Sequence, residues 1–211
     1  YYLYPFTNCT NCGPRYTVIK GLPYDRNLTA LADFPLCESC NAEYRDPQNR
    51  RYHAQATACP KCGPSLELDL AKVAEYIHAG KIVALKGVGG YVLLADANNA
   101  ATVRLLRERK GRAEKPFAVM ALNTNSIQHH FAHVSPHEAG VLESPAAPIV
   151  ILARKRSTHI AAEVAPKLNT LGMMLPNSPL YYILFYHLLG APAGAEWLQQ
   201  HAALALIVTS A

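Results

Sequence analysis

Six cysteines in three matching spacings are the residues of this sequence best suited to chemistry: Cys9-x2-Cys12, Cys37-x2-Cys40 and Cys59-x2-Cys62. A CxxC turn carries two thiolates to one metal ion, and two such turns complete a tetrahedral shell for Zn2+. The 18 residues between Cys40 and Cys59 fall within the spacing of a zinc ribbon. A single CxxC would read equally well as a redox dithiol. Three within 54 residues, two of them followed directly by Gly-Pro, read as structural zinc. Thiols packed as small apolar groups are the simpler alternative. His53 is a further candidate ligand, although Cys37, Cys40, Cys59 and Cys62 already fill one shell.

An internal repeat accompanies the cysteines. Shifting the chain by fifty residues lays Tyr2 on Tyr52, Thr7 on Thr57, and Cys9-x2-Cys12-Gly13-Pro14 on Cys59-x2-Cys62-Gly63-Pro64. The second copy begins with the CxxC at Cys37 and Cys40. A matching pair is therefore expected about thirteen residues before Tyr1, with eight cysteines and two zinc ions in all. The pairing of motifs around each ion is not fixed by spacing. Nine aromatic residues between Tyr1 and Tyr52 read as a miniature core rather than a base-stacking surface.

The second concentration of chemistry is cationic. Arg104, Arg107, Arg109, Lys110, Arg112 and Lys115 place six cations in twelve residues, against Glu108 and Glu114. Arg104, Arg107 and Glu108 read as a solvated helix face. Lys110 to Pro116 differs, because Gly111 and Pro116 break the helix, and cations on a loop beside apolar strands can clamp phosphate. The turn Lys86-Gly-Val-Gly-Gly90 is followed by no helix, so it is neither a Walker A loop nor a dinucleotide fingerprint. It reads as a tight connection between strands, with substrate contact as the alternative.

Elements that position these groups follow from periodicity. Ala71 to Ala79 predicts a helix with Ala74 and Ile77 on one face, closed by Gly80. Lys81 to Lys86 and Tyr91 to Ala95 predict strands. Asn98 or Asn99 caps a helix running to about Lys110, with Val103 and Leu106 inward. Phe117 to Ala121, Ile149 to Ala153, Leu171 to Leu175 and Leu204 to Thr209 predict further strands; Pro136 to Leu142 and Pro179 to Leu189 predict helices. Interleaved strands and helices imply an α/β domain over residues 69–211, behind a zinc-finger module over residues 1–68.

The totals are consistent with that plan. Half of the 211 residues are hydrophobic, 17% are charged and the formal net charge is +5. A mild basic excess favours anionic partners without requiring nucleic acid. Cations are sparse between Cys9 and Cys62 and are balanced by acids such as Asp25, Asp33 and Glu43, so RNA binding is not expected of the module. The apolar run from Leu180 to Leu189 is broken by His187 and too short to span a bilayer. With all cysteines clustered and no signal-peptide pattern, a cytoplasmic location is expected. Both ends read as cut.

Specific segments resemble a known family. Phe6-Thr-Asn-Cys-Thr-Asn-Cys-Gly-Pro-Arg15, Tyr44-Arg-Asp-Pro47, Arg50-Arg-Tyr-His-Ala-Gln55 and Ala58-Cys-Pro-x-Cys-Gly-Pro64 resemble the zinc-finger segment of HypF carbamoyltransferases, which mature nickel–iron hydrogenases. Arg107-Glu-Arg-Lys-Gly-Arg112, Lys115-Pro-Phe-Ala-Val-Met120, Leu168-Asn-Thr-Leu-Gly-Met-Met-Leu-Pro176 and Thr209-Ser-Ala211 resemble their YrdC-like domain. The resemblance implies a twisted mixed sheet with a concave basic surface, and carbamoyl phosphate and ATP as substrates. It further implies a carbamoyl-adenylate intermediate and HypE as the protein acceptor. It places Lys110, Arg112 and Ser210 in the catalytic set and Mg2+ beside ATP. Lys86, Lys115 and Thr209 are lesser candidates for the same surface.

The family's amino-terminal acylphosphatase-like domain, its carboxy-terminal transfer domain and the Asn two residues after the Ser find no counterpart within residues 1–211. The piece alone is therefore expected to be inactive. Two other readings stay open: a YrdC-type threonylcarbamoyl-adenylate synthase of tRNA modification, and a non-enzymatic zinc-ribbon binding module. The first would leave the zinc module unexplained.

Overall fold

The computed structural model describes every residue except Asn11, Cys12 and Val88. The chain divides into two compact units, Tyr1–Asp69 with Ser178–Ile183, and Leu70–Asn177 with Leu184–Ala211.

Residues 1–69 of the first unit are built mainly of turns, with a 3-10 turn at Arg26–Leu28 and a helix, α1, at Glu38–Arg45. The repeat extends to the backbone. Tyr4 N donates to Tyr1 O at 3.1 Å as Ala54 N does to Arg51 O at 3.0 Å. Gly13 N donates to Cys9 O at 2.9 Å as Gly63 N does to Cys59 O at 2.8 Å. Leu3 and His53, fifty residues apart, share the left-handed backbone region at φ 53° and 49°. Such angles are unusual outside glycine, so the two copies repeat a conformation as well as a motif.

The aromatic core is smaller than the composition implies. Tyr4 is buried, whereas Tyr2 and Tyr16 are 83% and 95% exposed. Arg26 does the work that rings do not. Its guanidinium donates to the carbonyls of Phe34, Gln55 and Thr57, each at 2.7 Å. Burial lowers its pKa. Three charge-assisted bonds offset that desolvation.

The second unit is a six-stranded mixed sheet in the order β1-β2-β6-β3-β5-β4. Its strands are β1 Val83–Gly87, β2 Gly90–Asp96, β3 Ala118–Ala121, β4 Val150–Ala153, β5 Thr170–Met174 and β6 Ala205–Ser210. Only β3 and β5 run parallel; the other pairs are antiparallel. Strand alternation gives the sheet two apolar faces. One packs Ala95, Val119, Ile207, Leu171 and Leu152 against Val103 and Leu106 of α3, Ala100–Lys110, and Leu142 of α5, Pro136–Leu142. On the other, α2 at Leu70–His78 packs against β1 and β2.

Between β3 and α5 a short helix, α4 at Thr124–Ser126, runs into a π-helical turn at Ile127–Phe131. Helix α6 spans Pro179–Leu188. Asn99, rather than Asn98, caps α3 by accepting from Thr102 N at 3.1 Å. The turn after β1 is a hairpin in which Gly87 pairs with Gly90; Val88, within the glycine-rich motif, lies outside the described residues. Among those residues no helix is long and apolar enough to cross a membrane.

Candidate metal centre and anion site

Helix α1 begins at the cysteines. Cys37 is its N-cap and the buried Cys40 lies in its first turn. The positive end of the helix therefore faces thiolates, which it favours. Cys59 and Cys62 arrive on the second-copy knuckle, where Gly63 N closes back on Cys59 O. The four sulfurs all lie within 4.8 Å of one another. Cys37 and Cys59 Sγ are 3.7 Å apart, and Cys59 and Cys62 Sγ 3.6 Å.

These separations exclude a disulfide and suit a metal. A disulfide needs about 2.05 Å between sulfurs. A regular tetrahedron with zinc–sulfur bonds of about 2.3 Å has edges of about 3.8 Å. The residues fit a four-cysteine zinc ion. Burial, ahead of the neighbouring sulfurs, pushes the Cys40 thiol up to about 12. A cation reverses that penalty by holding the thiolate form.

Tyr1 Oη lies 3.3 Å from Cys40 Sγ and donates to Glu43. His53 lies outside the four-sulfur cluster, with its ring stacked 5.1 Å from Tyr44. Cys9 is exposed and lies outside the four-sulfur cluster. Cys12 lies outside the described residues, so the half-site expected of this pair has no described geometry.

In the second unit the cationic run converges on the end of β6. Helix α3 closes in a Schellman motif, with Gly111 N on Glu108 O and Arg112 N on Arg107 O, both 3.0 Å. Gly111 takes φ 57°. This reversal sends Lys110 Nζ to Ser210 O and Arg112 Nη1 to Thr209 Oγ1 at 3.1 Å. Four sequence-selected residues thus meet at one strand end: Lys110, Arg112, Thr209 and Ser210.

Two expectations change. Arg107 does not belong to a solvated face. It donates to the carbonyls of Glu163 and Val164, and to Arg112 O at 2.8 Å, Ala113 O at 3.2 Å and Lys115 O at 3.3 Å. Desolvation, then the Arg112 charge, lowers its pKa. Arg112, selected as a phosphate clamp, also holds its own loop through Lys115 O at 3.0 Å and through Pro116 O. Both guanidiniums sit 4.7 Å from the centre of the Phe117 ring. Three of five Arg112 donors are engaged, which leaves two for a ligand.

Lys110 is the cation best placed for an anion, since Ser210 O takes one of its three donors. Lys86 Nζ lies 4.9 Å from the Tyr91 ring on the hairpin beside β6. Lys115 enters through its carbonyl, which accepts from both arginines. The sequence signal for Arg107 was its position one turn before Gly111. That is where a long donor can reach back over a Schellman loop.

The Sua5/YciO/YrdC family profile, described as telomere recombination, matches residues 75–211, and the HypF finger profile matches residues 1–19 and 36–68. The chain is 45% identical over 191 residues to carbamoyltransferase HypF of Rhodobacter capsulatus, covering 86% of this chain and 25% of that protein. It is 47% identical over 224 residues to carbamoyltransferase HypF2 of Cupriavidus necator, covering all of this chain and 28% of the relative. It therefore spans about a quarter of these relatives.

A crystal structure of full-length HypF in a phosphate- and nucleotide-bound form superposes with a TM-score of 0.86 at 40% identity, over 99% of this chain and 27% of that one. Sua5 of P. abyssi, solved with L-threonine, shares the fold at a TM-score of 0.53 and 20% identity, over 67% of this chain and 38% of that one. The chain thus belongs to the Sua5/YciO/YrdC family and, with its four-cysteine finger in front, corresponds to the finger-plus-YrdC stretch of HypF carbamoyltransferases.

Proposed function

We propose that this chain supplies the adenylate-forming part of a HypF-type carbamoyltransferase. In this reading it uses carbamoyl phosphate and ATP, and HypE is the eventual acceptor, through its C-terminal cysteine. The observation that carries the reading is the convergence of Lys110 and Arg112 on Thr209 and Ser210 at the end of β6. The 0.86 TM-score to a HypF solved in a phosphate- and nucleotide-bound form supports the family part of this reading.

Attack of a carbamate oxygen on the α-phosphate with departure of pyrophosphate builds negative charge on both anions. Fixed cations at a strand end stabilise it without reorganising. Lys110 offers a mobile point charge, and Arg112 a planar fork whose direction is set by Phe117 and the loop carbonyls. Ser210, at the exposed end of the strand, offers a hydroxyl to a phosphate oxygen. Mg2+ would supply charge neutralisation on the triphosphate. At the strand end the gathered side chains are cationic or hydroxyl and include no carboxylate to hold the ion, so Mg2+ would arrive with the nucleotide. The zinc centre is a scaffold in this reading.

The test uses the full-length protein. Carbamoyl phosphate is expected to stimulate cleavage of ATP to AMP and pyrophosphate, and Lys110→Ala to lower that rate about a hundredfold with the fold retained. An unchanged rate would remove Lys110 from the site. Stimulation by threonine and bicarbonate instead of carbamoyl phosphate would transfer the protein to the tRNA-modification reading.

A further inference from the structure

Three imidazoles that belong to neither site meet on the second unit. His129 and His130 sit on the π-helical turn Ile127–Phe131, and His201 on the segment after the 3-10 turn Glu196–Leu198. His130 Nε2 and His201 Nδ1 are 2.9 Å apart. The His129 ring stacks on His201 with centroids 4.2 Å apart and planes 14° from parallel.

The arrangement is held from below. Asn123 Nδ2 donates to Leu198 O and Gln200 O, each at 2.8 Å. Asn125 Nδ2 donates to Gln199 O at 3.1 Å, and Ala202 N to Ser126 Oγ at 3.0 Å. Four hydrogen bonds thus fix the backbone on both sides of His201 against the helical turn that carries the other two histidines. Single π turns concentrate at functional sites, because the extra residue redirects side chains. An open hollow of about 440 Å³ borders the cluster, lined by Asn125, His129, Gln199, Gln200 and His201.

The spacing suits a metal. Two imidazole nitrogens bound cis to one cation at about 2.0–2.1 Å and a right angle lie about 2.9 Å apart. The present contact shares one proton between two ring nitrogens; a cation would displace that proton and sit to one side of the line between them, with both rings turned toward it. The nearby Lys155 ammonium is directed to the carbonyls of Gln128 and His129. His129 is exposed, and its side chain must leave the stack on His201 to bring a third nitrogen to the pair.

We propose that His130 and His201, completed by His129, form a second metal site, for a borderline divalent transition-metal cation of the kind imidazole prefers. Water fills its remaining positions from the open side. The site is separate from the cysteine centre and independent of the carbamoyl-transfer reading.

The chain, first loaded with zinc at its cysteines, is titrated with Co2+. One equivalent is expected to bind without the intense thiolate charge-transfer band of cobalt on cysteine. The imidazole resonances of His129, His130 and His201 should shift or broaden selectively. His130→Ala and His201→Gln are each expected to weaken binding by about tenfold or more, while His78→Ala leaves it unchanged. Far-UV circular dichroism verifies that each variant is folded. The proposal is overturned if zinc-loaded protein retains no Co2+, if the thiolate band accompanies the binding, or if the isotherm survives both His130→Ala and His201→Gln.

Discussion

Arg107 and Lys110 lie three residues apart on α3 and divide the work between structure and ligand. Removing the Arg107 side chain leaves carbonyls of Glu163, Val164, Arg112 and Ala113 without that donor. Arg107→Ala is expected to destabilise the second unit by about 2–3 kcal/mol, read from denaturant unfolding. Arg107→Lys should recover only a fraction, because one ammonium cannot span carbonyls that a planar fork reaches. A change below about 0.5 kcal/mol, the size of an ordinary surface substitution, would return Arg107 to the solvated face. The sequence could not separate the two roles. Arg104 and Arg107 share a helical spacing, and only the backward turn at Gly111, which brings residues 112–115 over Arg107, tells them apart. Lys110, Arg112 and Ser210 were selected for another reason: their spacing matches a motif of the family the sequence resembles. Arg26 belongs to no such motif, and its partners lie 8 to 31 residues away.

Elements with chemical punctuation were the readable ones. Asn99 and Gly111 bound α3 because a side-chain acceptor starts a helix and a left-handed residue ends it. Gly111→Ala tests that directly. A Cβ there meets nothing within 4 Å, so the expected loss of about 1–2 kcal/mol is conformational alone. Gly63→Ala is the steric counterpart: its Cβ would fall 2.1 Å from Tyr4 Oη and 2.7 Å from Ala58 Cβ. That variant is expected to weaken zinc retention in a chelator competition, whereas Gly111→Ala leaves retention unchanged.

Helix α5 carries a capping box, in which Glu138 accepts from Ser135 N at 2.8 Å and from its hydroxyl at 2.6 Å. These bonds, the hydroxyl first, hold the Glu138 carboxyl below its usual value. The folded state therefore binds fewer protons than the unfolded one. The capping contribution is full above the ordinary glutamate pKa and fades as pH falls through the lower folded value. Thermal melts between pH 6 and pH 3 should lose less with Glu138→Gln than with the parent; equal slopes would exclude the box. What local pattern could not give is strand order. Strand β6 inserts between β2 and β3 and is paired on both sides. Pairing across that many residues leaves no trace in a window of ten.

At the scale of the whole chain, the two units depend on different forces. The second has a continuous apolar core from sheet and helices. Residues 1–69 of the first have the short helix α1, a partly exposed aromatic set and a repeated turn conformation at Leu3 and His53. A unit of that kind cannot supply its own stability from apolar burial, whereas structural zinc contributes on the order of 10 kcal/mol. Four buried or half-buried sulfurs within 4.8 Å of one another, two of the separations being 3.6 and 3.7 Å, suit a shared cation. Protons compete for the same thiolates, so metal retention should fall as pH drops. Zinc removal, by a strong chelator at neutral pH or by mild acid, is therefore expected to abolish amide protection over residues 1–69. Protection of β2, β3, β5 and β6 should persist. Hydrogen-exchange mass spectrometry separates the outcomes by peptide. Simultaneous loss in both segments would mean that the sheet too depends on the metal. Full retention over residues 37–62 would mean that the four cysteines stabilise the finger as packed thiols. Restoring zinc after chelation should restore protection in the first segment alone, as expected if metal binding and folding of the finger are one equilibrium.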